Sequence, residues 1–401
     1  MKLGELIEIK HGYAFSGEHI VEDDNGIVLV TPGNFRIGGG FKEEKCKFFD
    51  GEIPADYILK EGDFIVTMTD LSKTIDTLGY SALVPKSKRT YLHNQRIGLV
   101  TFKSDECDRG YIYWLMRTRE YQRFIANTST GATVHHTSPK KIYDYDLEVP
   151  PLPIQHRIAT ILSRYDSLIE NYQKQIKLLE ETAQRLYKEW FVDLHFPGHE
   201  NTNIIDGVPE GWEKKKVGEI GTVITGKTPS TSNKENYGGS IPFITIPDMH
   251  TGIYPVSSVF LSEKGAESQS KKYIPQGALI VSCIGTAGLV CITKERCQTN
   301  QQINSLILDD KEMLHYMYFV FLSLKEHLNN IGSNGATMTN VNKSKFEGID
   351  IVVPSSCIIR DFSQRTTPYF ENIKSLQSQL RLLTEARDRL LPKLMNGEIA
   401  V

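Results

Sequence analysis

Apolar and polar residues alternate along residues 158–190 with the spacing of a coiled-coil helix. Starting at Ile158 and moving in alternating steps of four and three residues, every position is apolar or aromatic. The positions are Ile158, Leu162, Tyr165, Ile169, Tyr172, Ile176, Leu179, Ala183, Leu186 and Trp190. This pattern predicts a helix from about Ile154 to about Trp190, which at ~1.5 Å per residue would be roughly 55 Å long.

The same pattern returns 204 residues later in the chain. The corresponding positions are Phe362, Thr366, Tyr369, Ile373, Leu376, Leu380, Leu383, Arg387, Leu390 and Leu394. All of them except Thr366 and Arg387 are apolar or aromatic. The repeat extends upstream, because residues 129–133 (STGAT) reappear as residues 333–337 (SNGAT). The chain therefore contains two similar modules, each followed by a long amphipathic helix.

Apolar seams of this length have to be buried against a partner. We predict that the two helices pair with each other in antiparallel orientation, with one module at each end of a rod and a pseudo-twofold axis between them. One alternative is that each helix packs within its own domain. Another is that a helix from a different protein joins the pair.

Within each module, short apolar runs bounded by Gly, Pro and Asn predict strands. In the first module these runs are residues 26–34, 62–69 and 97–102, and the spacing of residues 110–125 predicts a helix. In the second module the corresponding strands are residues 241–247 and 277–282, and residues 316–328 supply the helix. The offset between the copies varies in the loops, which is typical of one scaffold that carries different loops.

These patterns predict an α+β fold. Two similar mixed α/β domains are joined by two long helices that form an antiparallel coiled coil with pseudo-twofold symmetry. The predicted segments are residues 1–150 for the first domain, 151–196 for the central helix, 197–354 for the second domain and 355–401 for the C-terminal helix. A chain of 401 residues is long enough for two domains of ordinary size.

The charge balance gives little support to a nucleic-acid partner. The formal net charge is −3 and the isoelectric point is about 6.4, whereas a DNA-binding domain is usually basic. Contacts with phosphates would have to come from local clusters of lysine and arginine. Such clusters occur at residues 86–89, 140–141, 214–216 and 271–272.

Targeting signals and cysteine spacing point to a reduced, cytoplasmic protein. The N-terminus lacks the apolar stretch of a signal peptide. No apolar run approaches the roughly 20 residues that a membrane span needs. The cysteines show neither a zinc-binding spacing nor a disulfide framework.

Residues 221–228 (GTVITGKT) match the P-loop pattern GxxxxGK[ST]. A P-loop follows a buried strand and begins a helix, because the helix N-terminus binds the phosphates. Here charged residues 213–216 come before the motif and turn-like residues 229–233 come after it. We therefore favour a turn that contacts a DNA phosphate, and we keep a nucleotide-binding enzyme as an alternative.

Two other pairs of residues have side chains that can bind metals. His135 and His136 are adjacent, and Cys291 and Cys297 lie close in sequence, but neither pair has a second pair at metal-ligand spacing. We predict no metal site, no bound cofactor and no catalytic residue in this chain. The sequence indicates a protein that binds rather than catalyses.

Several segments together carry a resemblance to a known family. They are the duplicated half, residues 62–66 (GDFIV), the Asn-Gln turn at residues 94–95, the Gly-Ala-Thr loop at residues 131–133 and residues 149–155 (VPPLPIQ), which enter the first heptad helix. With residues 389–399 (RLLPKLMNGEI), these segments resemble the specificity subunits of type I restriction-modification systems. One departure is that the second helix begins with residues 354–359 (PSSCII), without the PLPxQ entry of the first.

The resemblance implies that each domain is a target recognition domain that reads one half of a split double-stranded DNA sequence. It implies that the helices act as a spacer and dock two methyltransferase (modification) subunits, and that a restriction/motor subunit joins them. S-adenosylmethionine, ATP and Mg would then be bound by those partner subunits. This chain would be the non-catalytic DNA-binding subunit. The alternative from another class is a structural coiled-coil scaffold without a DNA role.

For DNA contacts we select polar residues on equivalent loops of the two modules. In the first module these are Lys10, Asn34, Arg36, Thr69, Lys73, Asn94, Gln95, Arg96, Thr133 and Lys140. In the second module they are Lys227, Thr228, Asp248, Thr286, Asn300, Gln301, Gln302, Thr337 and Lys343. Asn and Gln can form two hydrogen bonds with adenine, and Arg can form two with guanine. Residues shared by both modules alternatively serve the scaffold or the partner subunit.

Overall fold

The computed structural model describes residues 1–44, 46–72, 74–103, 105–332 and 340–401. These residues form two compact units. Unit 1 comprises Met1–Ile169 and Leu383–Val401, and unit 2 comprises Glu170–Leu382. Both long helices therefore contribute residues to both units. The predicted division into four sequence segments stays a prediction.

Two larger sheets and one short strand pair form the β-structure described for unit 1. Its strands are β1 (Ile7–His11), β2 (Ile20–Val21), β3 (Ile27–Val30), β4 (Lys47–Phe49), β5 (Ile58–Leu59), β6 (Phe64–Thr67), β7 (Thr69–Asp70), β8 (Ser81–Leu83), β9 (Thr90–His93), β10 (Ile97–Phe102) and β11 (His135–His136). One sheet has the antiparallel order β1-β10-β6-β8. The other has the order β2-β4-β3-β9-β5, in which β3 and β9 are parallel. Strand β7 pairs with β11.

The helices of unit 1 cover the first sheet and lead into the long helix. They are α1 (Leu3–Leu6), α2 (Arg109–Leu115), α3 (Arg119–Thr128), α4 (Pro139–Tyr143) and the start of α5 (Leu152–Tyr187). The single helix predicted over residues 110–125 is wrong, because the structure breaks it between α2 and α3. Thr118 caps the second piece by accepting a hydrogen bond from the backbone N–H of Tyr121 at 3.2 Å, and such a cap starts a new helix.

Unit 2 repeats this sheet arrangement. Its strands are β12 (Ile204–Ile205), β13 (Val208–Pro209), β14 (Glu213–Lys216), β15 (Gly221–Thr225), β16 (Tyr237–Ile244), β17 (Val259–Leu261), β18 (Leu279–Ser282), β19 (Val290–Ile292), β20 (Gln298–Thr299), β21 (Ile303–Leu308) and β22 (Asp350–Val353). The antiparallel order β15-β21-β18-β19 corresponds to β1-β10-β6-β8 of unit 1. The parallel pair β16 and β20 corresponds to β3 and β9.

From α7 onwards, the helices of unit 2 follow the order of the helices of unit 1. They are α6 (Glu263–Glu267), α7 (Leu314–Ser323), α8 (Lys325–Gly332), α9 (Lys343–Glu347) and most of α10 (Ser356–Met395). The helix predicted over residues 316–328 is likewise broken, between α7 and α8. Short 3-10 helices cover Gly17–His19, Pro32–Asn34, Ala55–Tyr57, His199–Asn201, Val217–Glu219, Lys234–Asn236, Asp248–Thr251, Ser270–Lys272 and Lys311–Met313.

The two long helices pair in antiparallel orientation within each unit. Helix α5 continues through a π-helical turn, Lys188–Val192. In unit 2, Trp190 of this turn lies against Phe362, near the start of α10, with ring centroids 5.9 Å apart. In unit 1, Asp166 of α5 contacts Arg387, near the end of α10, at 2.6 Å. The pairing predicted from the heptads is therefore confirmed.

The two polar exceptions in the second heptad series both have polar partners. The hydroxyl of Thr366 lies 2.9 Å from His315 Nδ1 of α7, and both residues are buried. The guanidinium of Arg387 forms its ion pair with Asp166. The helix register is kept at both positions because a polar partner satisfies each side chain.

Among the helices of the described residues, none has the length and apolar character of a membrane span. In the same part of the chain, no group of three or more His, Cys, Asp or Glu residues could hold a metal ion. Cys283, Cys291 and Cys297 are buried free thiols, and burial raises the pKa of each to about 12. Such thiols are unreactive because little thiolate is present near neutral pH.

Candidate nucleic-acid interface

Four loops of unit 1 meet at one end of the sheet β1-β10-β6-β8. The backbone N–H of Tyr13 donates to His93 O at 2.8 Å, and that of Gln95 donates to Tyr13 O at 2.9 Å. The N–H of Met68 donates to Arg96 O at 2.9 Å, and that of Thr137 donates to Met68 O at 3.0 Å. We call this surface loop end 1 and define it as residues 11–13, 68–70, 94–96 and 130–137.

A glycine makes the closest approach in loop end 1 possible. A β-carbon on Gly12 would lie 2.1 Å from the carbonyl oxygen of Asn94, which is far inside any van der Waals contact. The Asn94 side chain accepts a hydrogen bond from the Arg96 N–H at 3.0 Å and closes the turn between β9 and β10. The turn therefore exposes Gln95 and Arg96.

Unit 2 builds the same surface from its equivalent strands. The N–H of Gly226 donates to Ile303 O at 3.0 Å, and that of Lys227 donates to Thr299 O at 3.0 Å. The N–H of Cys283 donates to the carbonyl oxygen of Gln302 at 2.8 Å. We call this surface loop end 2 and define it as residues 225–228, 283–286 and 300–302. It joins three loops, which correspond to residues 11–13, 68–70 and 94–96 of loop end 1.

A glycine of loop end 2 makes the same close contact as Gly12, and the two contacts show which residues of the loop ends correspond. A β-carbon on Gly226 would lie 2.1 Å from the carbonyl oxygen of Asn300, as one on Gly12 would from Asn94. The structural equivalent of Lys227 is therefore Tyr13, the residue that follows the glycine, rather than Lys10. Tyr13 is 42% exposed and was missed by the sequence analysis. Aligning the two glycines would have identified it.

Several predicted contact residues are brought together and exposed at these loop ends. At loop end 1 they are Gln95, Arg96 and Thr133, and at loop end 2 they are Lys227, Thr286 and Gln301. Within the described residues, the side chains of Gln95 and Arg96 form no hydrogen bond or ion pair. Thr228 and Gln302 are half-buried. Thr228 donates to the Gln301 side chain, and Gln302 donates to Ile284 O at 3.4 Å.

Four predicted contact residues lie inside the fold instead: Asn34, Thr69, Asp248 and Asn300 are all buried. Asn34 and Asp248 have the same structural role. Each accepts a hydrogen bond from the backbone N–H of the threonine three residues earlier, at 2.9 and 2.8 Å. Thr69 lies 3.2 Å from His136 Nδ1. Asn300 accepts from the Gln302 N–H at 3.1 Å. Their side chains hold loops in place.

The remaining predicted residues lie elsewhere or outside the described residues. Lys10 donates to Asp56 O at 3.2 Å and lies over the ring of Tyr57. Arg36 donates to Phe41 O at 3.2 Å. Lys140 is exposed at the start of α4, and Lys343 pairs with Glu347 at 3.4 Å on α9. Lys73 and Thr337 lie outside the described residues.

One buried carboxylate organises the loop that leaves loop end 1 after β7. Asp70 accepts hydrogen bonds from the Ser72 N–H at 2.6 Å and from the hydroxyl of Thr77 at 2.8 Å. Burial opposes ionisation, but these hydrogen bonds outweigh it and hold the pKa of Asp70 below its usual value. The loop presents Leu71, which is 60% exposed and was not predicted. An apolar side chain there can contact a thymine methyl group.

The P-loop match has a different structure from a nucleotide-binding loop. Gly221–Thr225 form strand β15 at the edge of an antiparallel sheet, and residues 226–233 continue as a loop. The backbone N–H groups of Gly226 and Lys227 are used by the sheet and the neighbouring turn. A phosphate cradle needs such groups free and a helix N-terminus behind them. This geometry argues against the nucleotide-binding alternative.

Comparison with known proteins agrees with two repeated domains of this kind. A family model described as the type I restriction modification DNA specificity domain matches residues 1–181 and 209–364. The type I restriction enzyme HindI specificity subunit of Haemophilus influenzae is 34% identical over 347 residues, which cover 70% of this chain and 75% of the relative. The MjaIX specificity subunit of Methanocaldococcus jannaschii is 29% identical over 298 residues, covering 73% and 69%.

The fold has also been seen before. The crystal structure of the type I restriction-modification S subunit from M. genitalium matches with a TM-score of 0.64 at 16% identity, covering 98% of this chain and 95% of that one. The predicted α+β fold is confirmed by this likeness. The chain belongs to the family of type I restriction-modification specificity subunits. It recognises DNA sequence and is not itself an enzyme.

Proposed function

We propose that each unit reads one half of a split DNA sequence through its loop end. The observation that carries the proposal is that the same surface is built twice around the same glycine contact, while the exposed side chains differ. Loop end 1 presents Tyr13, Gln95 and Arg96, whereas loop end 2 presents Lys227 and Gln301 at the corresponding places. One scaffold with two sets of polar groups is suited to two different half-sites.

The exposed groups have the chemistry for reading bases in a groove. Arg96 can form two hydrogen bonds with guanine, and Gln95 and Gln301 can each form two with adenine. Lys227 is a point charge suited to a backbone phosphate. The exposed apolar Leu71 adds contact with a thymine methyl group. The buried Asn34 and Asp248 support these loops and are not part of the reading set.

We further propose that α5 and α10 fix the distance between the half-sites and dock two modification subunits. Their pairing in both units supports this role, because a helix pair changes its length only in fixed steps per residue. The modification subunits would supply S-adenosylmethionine for adenine methylation. A motor subunit would supply the ATP and Mg chemistry of restriction.

The decisive experiment exchanges one domain and maps the modified sequence. Residues 1–150 are replaced by the corresponding domain of another specificity subunit, and methylated adenines are mapped across the genome of cells that express the complex. We expect one half of the recognised sequence to change while the other half and the spacer stay the same. A change in both halves, or in neither, would contradict the assignment of one half-site to each unit.

A further inference from the structure

Unit 1 contains a partly buried ionic cluster around Asp166. Arg117 Nη1 and Arg387 Nη1 each donate to one oxygen of this carboxylate at 2.6 Å. The side chains are 3% exposed for Arg117, 15% for Arg387 and 20% for Asp166. Arg117 also donates to the hydroxyl of Tyr113 at 2.8 Å and lies 4.2 Å from the centre of the Trp114 ring. The guanidinium groups of Arg117 and Arg387 therefore fill the space around Asp166 between α2, α5 and α10.

The repeat defines the equivalent place in unit 2. Residues 111–114 (YIYW) of α2 correspond to residues 316–319 (YMYF) of α7, so Leu322 stands where Arg117 stands in unit 1. The 204-residue repeat of the long helices puts Phe370 at the place of Asp166 and Ala183 at the place of Arg387. Both arginines and the carboxylate have thus been replaced by shorter or apolar side chains.

The structure of unit 2 has a cavity of about 100 Å³ at this place. Its lining includes Ala183, Tyr318, Phe319, Leu322 and Phe370, the equivalents of the residues that form the ionic cluster of unit 1. Ala183, Tyr318, Phe319 and Phe370 are buried, whereas Leu322 is 37% exposed at the rim. One water needs only ~10–15 Å³ on the same scale, so a guanidinium group has room to enter from the rim.

A carboxylate, that of Glu180, also lines the cavity. Glu180 lies one helical turn before Ala183 on α5. No hydrogen bond or ion pair within the described residues engages its side chain. Burial, and then the charge of Glu181, raise the pKa of Glu180. A cation inside the cavity would relieve this cost, because a half-buried carboxylate is stabilised by an opposite charge nearby.

We propose that this cavity receives an arginine side chain of a modification subunit. Aromatic rings attract a guanidinium through their faces, as Trp114 does for Arg117 in unit 1, and Glu180 supplies the anionic partner. The walls include Ala183 of α5 and Phe370 of α10, the helices assigned above to docking, together with residues of α7. The inference rests on that proposed function. It makes the two docking sites unequal, because Arg117 and Arg387 occupy the equivalent position in unit 1 and the cavity in unit 2 is open to an arginine from the partner.

The test measures how tightly purified modification subunit binds the full-length chain. Three variants address the cavity: Glu180→Gln removes its charge, and Ala183→Arg and Leu322→Arg each refill it from within. We expect each to weaken binding at one of the two docking places at least tenfold, with native mass spectrometry showing loss of one modification subunit. Leu322→Arg alters an exposed residue, so it keeps the test valid if Ala183→Arg fails to fold.

Two neighbouring variants serve as matched controls. Glu181→Gln removes an exposed carboxylate next to Glu180, and Thr182→Arg adds an arginine next to Ala183 on the exposed side of the helix. Both are expected to bind the modification subunit within twofold of wild type. Equal weakening in the controls would show a general effect of charge on the helix and would overturn the proposal.

A methylation assay on the same complexes separates this inference from the proposed function. If the wild-type chain assembles and directs methylation while all three cavity variants bind unchanged, the inference is wrong and the proposed function stands. If the wild-type chain neither assembles nor directs methylation, the proposed function fails first and the inference with it. Loss of self-association alone would assign the cavity to a second copy of this chain and also overturn the proposal.

Discussion

Gly12 and Gly226 show how the absence of a β-carbon at one position shapes loop end 1 and loop end 2. Each lies where a β-carbon would meet a carbonyl oxygen at 2.1 Å, at Asn94 and Asn300 respectively. Neither glycine has the left-handed backbone that usually explains a glycine in a loop. Close approach is therefore the reason for glycine at these two places. It brings the end of β1 against the turn that presents Gln95 and Arg96, and the end of β15 against the turn that presents Gln301.

Replacing Gly12 by alanine should force the two loops of loop end 1 apart. We expect a loss of about 1–3 kcal/mol in the free energy of unfolding, the usual cost of adding an atom to a well-packed site. Chemical denaturation measures it. Gly17→Ala is the control, because a β-carbon there meets nothing within 4 Å. The same loss in both variants would show that close approach is not the cause.

Arg96 should be a main determinant of sequence reading at loop end 1. Arg96→Ala is expected to weaken binding of the cognate duplex by about 1–3 kcal/mol, the contribution of a two-hydrogen-bond contact with guanine. It should also relax the preference at one base pair. Competition titrations with single-base-pair variants of the duplex measure both effects. Lys88→Ala, at an exposed lysine outside the loop ends, should weaken all duplexes slightly and alike.

At the scale of secondary-structure elements, the sequence predicts the structure best where the same hydrophobic repeat extends over many residues. The heptads predicted α5 and α10 because every turn contributes the same apolar signal. The breaks after Leu115 and Ser323 were missed, since each depends on one or two residues, such as the capping Thr118. At the loop ends, the turns that recur in both modules correctly identified Gln95 and Gln301 as exposed polar residues. The same recurrence also selected Asn34 and Asp248, because a sequence repeat does not show that a side chain is buried.

The packing of α7 against α10 should make the stability of unit 2 sensitive to acid. Burial lowers the pKa of His315 from its ordinary 6.5 to about 4. The unfolded chain thus gains a proton on His315 near pH 6.5, and the folded chain gains it only near pH 4. The stabilisation is complete above pH 6.5 and is lost as the pH falls towards 4, by up to about 3 kcal/mol at ~1.4 kcal/mol per pH unit.

Urea unfolding at several pH values between 4 and 7 tests this dependence. His315→Gln has no group that titrates in this range at the same place, so the stability difference from wild type should shrink as the pH falls. His327→Gln, at an exposed position on α8, should follow wild type throughout. A constant difference between wild type and His315→Gln would show that His315 does not titrate on unfolding.

At the scale of the whole molecule, both long helices pass from one unit to the other, at residues 169–170 and at residues 382–383. Inserting one heptad at each of these two points should keep the antiparallel register, because equal lengths are added to both partners. We expect the distance between half-sites to grow by about 10 Å, or roughly three base pairs. Mapping methylated sites measures the spacer, and the half-site sequences should be unchanged.

An insertion in one helix only is the control for this experiment. It shifts one partner of the pair by a heptad, so the contact between Asp166 and Arg387 and that between Trp190 and Phe362 can no longer both form. We expect loss of assembly rather than a longer spacer. A longer spacer from a single insertion would show that the paired helices do not set the distance.

The division of the chain into two units also determines which unit can be completed first during translation. Unit 2 is one continuous stretch, Glu170–Leu382, whereas unit 1 needs both Met1–Ile169 and Leu383–Val401. The core of unit 1 includes Leu391 and Leu394, which leave the ribosome after all of unit 2 has been made. The domain translated first is thus the one completed last, and a premature stop after residue 382 would spare the later domain and leave the earlier one unfinished.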